Sequence, residues 1–143
     1  MTRNLCRTLI AVTAILFVFQ ASGHSQTAAH SVTQIGMSPL SPNVLKFGQQ
    51  ITVNFSYDTT EPGGVRIWAR PMSIDPVTGL DMLTPNYAAC GSPVYPTGSG
   101  VGSCTFTITS GEVVVDKIRI QMWDTNQTTR LSNVKLPVHY RFR

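Results

Sequence analysis

The residues of this chain best equipped for chemistry come in three short runs. They are Arg66, Trp68 and Arg70; then Lys117, Arg119, Gln121 and Trp123; then Lys135, His139 and Arg141, with Arg143 closing the last run. Most neighbours within a run are two residues apart, the spacing that places side chains on one face of a β-strand. Guanidinium, ammonium and indole groups arranged in this way suit recognition of an acidic partner rather than the making or breaking of bonds. The candidate partners are an anionic polysaccharide, a layer of lipid headgroups or an acidic protein.

Bond-making chemistry lacks its parts. Of the three histidines, His24 and His30 precede the first strand pattern, and His139 stands among bases with no acid in its own strand. No serine occupies a nucleophile-elbow context. The run Gly98-Ser99-Gly100-Val101-Gly102 lacks the lysine and the following helix of a phosphate loop, and reads as a surface loop. Asp75 and Asp81 flank a turn and could hold Ca²⁺ together with loop carbonyls, but they read more simply as solvated turn residues. The expectation is a protein that is not an enzyme, with no catalytic residue, metal or cofactor. Cys90 and Cys104 form an even pair in an exported chain and are expected to be disulfide-bonded. Such a bridge closes a loop of about fifteen residues, worth ~3 kcal/mol in the chain-entropy view.

The elements that must carry these residues are strands. From Val134 to Phe142, apolar Val134, Leu136, Val138, Tyr140 and Phe142 alternate with Lys135, Pro137, His139 and Arg141. One face is dry and the other wet and cationic, which demands a sheet covered on one side only. Ile51, Val53, Phe55 and Tyr57 alternate in the same way, as do Val65, Ile67 and Ala69, and Cys104, Phe106 and Ile108. Val114, Ile118, Ile120 and Met122 are assigned to one face of a long strand, with a bulge near Asp116. Turn chemistry at Glu61-Pro62-Gly63-Gly64, Asp75-Pro76-Val77-Thr78-Gly79 and Ser110-Gly111 separates the runs. About seven strands follow, and no helical period is present beyond the first residues.

This pattern, and the second strand Gly48-Gln49-Gln50-Ile51-Thr52-Val53-Asn54-Phe55-Ser56-Tyr57 in particular, resembles the immunoglobulin-like or fibronectin-type-III-like modules of bacterial secreted proteins. The resemblance implies an all-β, two-sheet antiparallel sandwich of about seven strands. In that layout the third, sixth and seventh strands share a sheet. The three basic runs would then emerge on one outer face, with no acid among them. The other sheet would show only Gln50, Thr52, Asn54, Ser56, Thr105, Thr107 and Thr109 outward.

The start of the chain reads as a targeting segment. Arg3 and Arg7 precede an apolar stretch from Thr8 to Phe19, and Gln20-Ala21-Ser22-Gly23 supplies small residues for cleavage before His24. The apolar stretch is shorter than the ~20 residues that span a bilayer, so the mature chain is expected not to span a membrane. Residues 1–23 are thus a cleaved signal peptide, 24–30 a flexible leader and 31–143 the sandwich, in a secreted, periplasmic or cell-surface protein. Of eleven lysines and arginines, nine remain after cleavage against seven acids. That balance, together with export, argues against nucleic acid. The sequence therefore supports a binding or scaffolding module. A structural envelope component assembling through its edge strands is the alternative, and a small hydrolase built on His139 ranks third.

Overall fold

The computed structural model describes residues 30–89 and 91–143. The expected signal peptide, most of the leader and Cys90 lie outside the described residues. The described chain is all strand and turn. Its ten strands are β1 (His30–Ser38), β2 (Asn43–Leu45), β3 (Gln50–Thr59), β4 (Val65–Ile74), β5 (Asp81–Leu83), β6 (Tyr87–Ala89), β7 (Val94–Tyr95), β8 (Gly98–Ile108), β9 (Val113–Asp124) and β10 (Arg130–Phe142). One sheet has the order β1-β3-β8-β6. The other has the order β2-β10-β9-β4-β5, with β7 also pairing with β4. This is the expected two-sheet sandwich. The long strands match the sequence reading, and the three strands beyond seven are the short edge pieces β2, β5 and β7.

The core forms where the two dry faces meet. Ile51, Val53 and Phe55 from β3 and Phe106 and Ile108 from β8 meet Val65 and Ile67 from β4, Ile118, Ile120 and Met122 from β9, and Tyr140 and Phe142 from β10. All are essentially inaccessible to water. Each such side chain contributes about 1.5–3 kcal/mol relative to exposure, which makes the alternation of these strands a register lock. Val134, Leu136 and Val138 are partly buried against the same core. The pairing of β9 with β10 shifts between Pro137 and Tyr140. As a result Val115, not Val114, enters the core, and Asp116 and Lys117 follow one another out of it.

One stretch departs from its sequence reading. Gly98 to Gly102, expected to be a loop, is the first half of β8 and pairs with Phe55 to Thr59. The glycines are there for clearance. A Cβ at Gly100 would lie 2.6 Å from the Tyr57 hydroxyl oxygen, and one at Gly102 would lie 2.5 Å from the Tyr95 ring. Tyr95 in turn meets Phe55 edge-on at 5.5 Å and Tyr57 at 5.3 Å. Two tyrosine rings thus lie flat over a strand that only glycine leaves bare enough to receive them. Cys104 points inward as expected, and its Sγ donates to the Ile67 carbonyl at 3.0 Å.

Gly100→Ala and Gly102→Ala are each expected to lower stability by about 1–3 kcal/mol, the usual cost of overpacking. The readout is an earlier urea midpoint. Gly91→Ala, where the added methyl meets nothing within 4 Å, should leave the midpoint in place.

Candidate functional site

The outer face of the β2-β10-β9-β4-β5 sheet carries the three basic runs, because the apolar partners of those residues are committed to the core. Pairing brings them into rows across the strands. Arg66 on β4 stands opposite Trp123 on β9, which stands opposite Arg130 on β10. The next row is Trp68, Gln121 and Asn133, and the one after it Arg70, Arg119 and Lys135. Neighbouring strands lie about 4.8 Å apart, so the third row holds three cations in direct succession. Like charges at this spacing repel. Arg130, at the start of β10, was missed in the sequence because no alternation precedes it.

The groups differ in how firmly they are held. Arg66 donates to the Ser92 carbonyl at 2.6 Å and to the Thr125 carbonyl at 3.3 Å, tying two loops to the sheet. The Arg70 guanidinium lies 5.8 Å from the Trp68 ring centre. The Arg119 Nε and the Trp123 Nε1 are both buried, and neither has an acceptor among the described residues. Gln121 between them is only 4% exposed, roofed by its larger neighbours. Trp68, Arg70, Trp123 and Gln127 line a shallow depression of about 240 Å³. Its rim at Gln127 is fixed by the β9–β10 turn. There Asp124 accepts from the Thr128 and Thr129 backbone N–H groups at 2.7 and 3.1 Å, and from the Thr128 hydroxyl. These bonds hold the Asp124 carboxyl below its ordinary pKa.

The face is not free of acid, contrary to the sequence reading. Asp81, from the edge strand β5, reaches in to bridge Lys117 and Lys135, the latter at 2.8 Å. Hydrogen bonds from the two ammonium groups lower its pKa from 3.8 to about 2. Arg141 is paired with Glu112, with its Nε at 3.1 Å. It stands opposite Val114 on β9, nine residues and some ~30 Å along the strand from the Arg66–Trp123 row. Arg141 therefore shares the sheet face but not the cluster. His139 is exposed on β10. Its Nδ1 is 3.9 Å from the Asp116 carboxylate, and its backbone N–H donates to the Ser41 hydroxyl at 2.7 Å. Serine, histidine and aspartate meet here, but the serine oxygen is engaged by the backbone N–H. Asp75 accepts from the Val77 and Thr78 N–H groups at 2.8 and 3.2 Å, so both loop carboxylates have roles within the fold. Among the described residues no cluster of three or more metal-ligating side chains occurs. No helix among them is long and apolar enough to cross a membrane.

The opposite sheet carries no base on the outer faces of β3 and β8, where Thr52 and Thr105 share a hydroxyl hydrogen bond of 3.2 Å. It is not wholly neutral as expected, because Asp58 stands at the exposed end of β3 and accepts from the Ser99 hydroxyl at 2.9 Å.

The fold and this face define an all-β sandwich with one cationic, aromatic outer sheet. No protein-family model matches the chain, and no curated protein matches it in sequence. Among solved structures, the chain is similar to a Niemann-Pick type C2 protein from Japanese carpenter ant. The identity is 9%, over 70% of this chain and 79% of that one, with a TM-score of 0.40. It is also similar to an alkylpurine DNA glycosylase of Pseudomonas fluorescens, solved bound to DNA containing an abasic site analog. There the identity is 11%, over 82% of this chain and 31% of that one, with a TM-score of 0.42. Likenesses at this level concern strand arrangement and carry no argument about ligands.

The Asp81 bridge yields a pH signature. A carboxyl whose folded pKa is below its unfolded value stabilises the protein above the unfolded pKa, and that contribution is lost as pH falls through the folded value. Wild type should therefore melt above Asp81→Asn at pH 5 to 7. The two melting temperatures should converge as the pH falls from about 4 to about 2, the window set by the lowered Asp81 pKa. A gap unchanged at pH 2 would contradict the assignment.

Proposed function

We propose that this chain is a secreted, non-enzymatic, immunoglobulin-like module that binds an anionic polysaccharide through the outer face of β4, β9 and β10. The observation that carries the reading is the row Arg70–Arg119–Lys135, three cations across adjacent strands with two tryptophans beside them. Crowded like charges weaken a sheet, and a polyanion laid over the row offsets the repulsion. The face presents shallow, open depressions rather than a deep cleft, which suits a polymer that lies on a surface. Arg66 and the Asp124 turn hold the surroundings in place before any ligand arrives, which lowers the entropy lost on binding. Export follows from the reading of residues 1–23 as a signal peptide and remains part of the proposal.

The test is retention on immobilised heparin and polygalacturonate as salt rises. Wild type should be retained at low salt and released as screening increases. Arg70→Ala and Lys135→Ala should elute earlier. Arg141→Ala, which lies outside the cluster, should elute with wild type. Asp81→Asn, which releases two lysines, should elute later. Absence of retention, or elution indifferent to Arg70 and Lys135, overturns the reading.

A further inference from the structure

The rows of the cationic face have a direction, and that direction selects a ligand. Arg70, Arg119 and Lys135 succeed one another perpendicular to the strands, so their backbone spacing is the inter-strand distance of about 4.8 Å. That is close to the advance of one sugar unit in an extended polysaccharide. Along a strand, by contrast, residues on one face recur every ~6.6 Å, and the runs mix cations with indoles. A linear chain crossing the strands therefore passes one basic side chain per strand, with Lys135 also sharing Asp81. A chain running along them does not.

The second observation is the pair of indoles. Trp68 and Trp123 are diagonal neighbours on β4 and β9, a relation that puts such residues about 7–8 Å apart, with their Cβ atoms somewhat closer. They do not stack on each other. Instead they flank the depression of about 240 Å³ that Arg70 and Gln127 complete. Flat aromatic faces beside a guanidinium fit the C–H face of a pyranose ring with an acid group at its edge. The Trp123 Nε1 and Arg119 Nε are two donors without an acceptor among the described residues. A small movement of the half-buried side chains covering them would offer both to ligand oxygens.

We infer that the ligand is a polyuronate, a polymer with one carboxylate per sugar ring. It lies across β4, β9 and β10, with its carboxylates on Arg70, Arg119 and Lys135 and one ring in the depression between Trp68 and Trp123. This rests on the polysaccharide reading above and narrows it. A planar carboxylate accepts two parallel N–H bonds from a guanidinium, and a carboxylate on every ring lets those that turn toward the sheet reach Arg70 and Arg119. A densely sulfated chain carries more charges per unit than the row can meet.

The chain contains two tryptophans, and both are in this site, so intrinsic fluorescence reports on it without a label. The full chain is titrated with polygalacturonate oligomers, with the same oligomers fully methyl-esterified, with dextran sulfate and with anionic phospholipid vesicles. The inference expects a saturable fluorescence change with polygalacturonate and at least about tenfold weaker binding of the ester, which keeps the ring and removes the charge. Trp123→Phe and Trp68→Phe should each remove part of the signal, and Arg70→Ala and Lys135→Ala should each weaken binding about tenfold. The exposed Lys135 serves as the control should Arg70→Ala disturb folding. Dextran sulfate binding as tightly as polygalacturonate, or polygalacturonate binding without a tryptophan response, overturns the polyuronate site and leaves the broader polysaccharide reading standing. Binding to vesicles alone, or to none of the four, overturns both.

Discussion

The constraint on which everything else rests is that β4, β9 and β10 can bury only one of their two faces. Ile67, Ile118, Ile120, Met122 and Tyr140 occupy the dry side completely. A slip of one residue in any of these strands would exchange them for arginine, lysine and tryptophan. The free energy of the core is thus also what holds the cationic face in register. The outer residues need no strong interactions of their own to stay in rows, because their positions are dictated from behind.

This explains the character of that face. A sheet stabilised by its own outer contacts would pair unlike charges strand by strand. Here the within-sheet neighbours are cation beside cation, and compensation comes from outside the three strands: from Asp81 on β5 and from Glu112 just before β9. The cluster is therefore only half neutralised at its margin, where Lys117 and Lys135 share one carboxylate, and is fully positive at Arg70 and Arg119. The other sheet, with threonines and the single acid Asp58 on the outer faces of β3 and β8, shows that such crowding is not a requirement of the fold.

Much of this was legible in the sequence, and the part that was not has a physical reason. Strict alternation in Gln50–Tyr57 and Val134–Phe142 revealed both the strands and their dry faces. The grouping of Arg66, Arg119 and Lys135 followed from the usual partnering of strands in a sandwich. The acids were invisible as partners, because Asp81 meets Lys117 and Lys135 across 36 and 54 residues of chain, a separation that no local pattern encodes. Gly98 to Gly102 was misread because glycine is the residue of loops, whereas here its lack of a side chain is what lets Tyr57 and Tyr95 lie against the strand. Arg141 was grouped correctly by face but not by neighbourhood, since alternation fixes the side of a sheet on which a residue emerges and not its distance from others.

The last strand, β10, is paired antiparallel by β9 along most of its length, and at Tyr140–Phe142 also by β2 in parallel. A tug along its axis meets many rungs in shear at once, whereas a hairpin at an edge would be unzipped one rung after another. Lys135 and Arg130 stand on the other half of β10, which β9 alone flanks among the described residues. Force on the end of the chain would accordingly meet its resistance at Tyr140–Phe142, the doubly paired part of the strand.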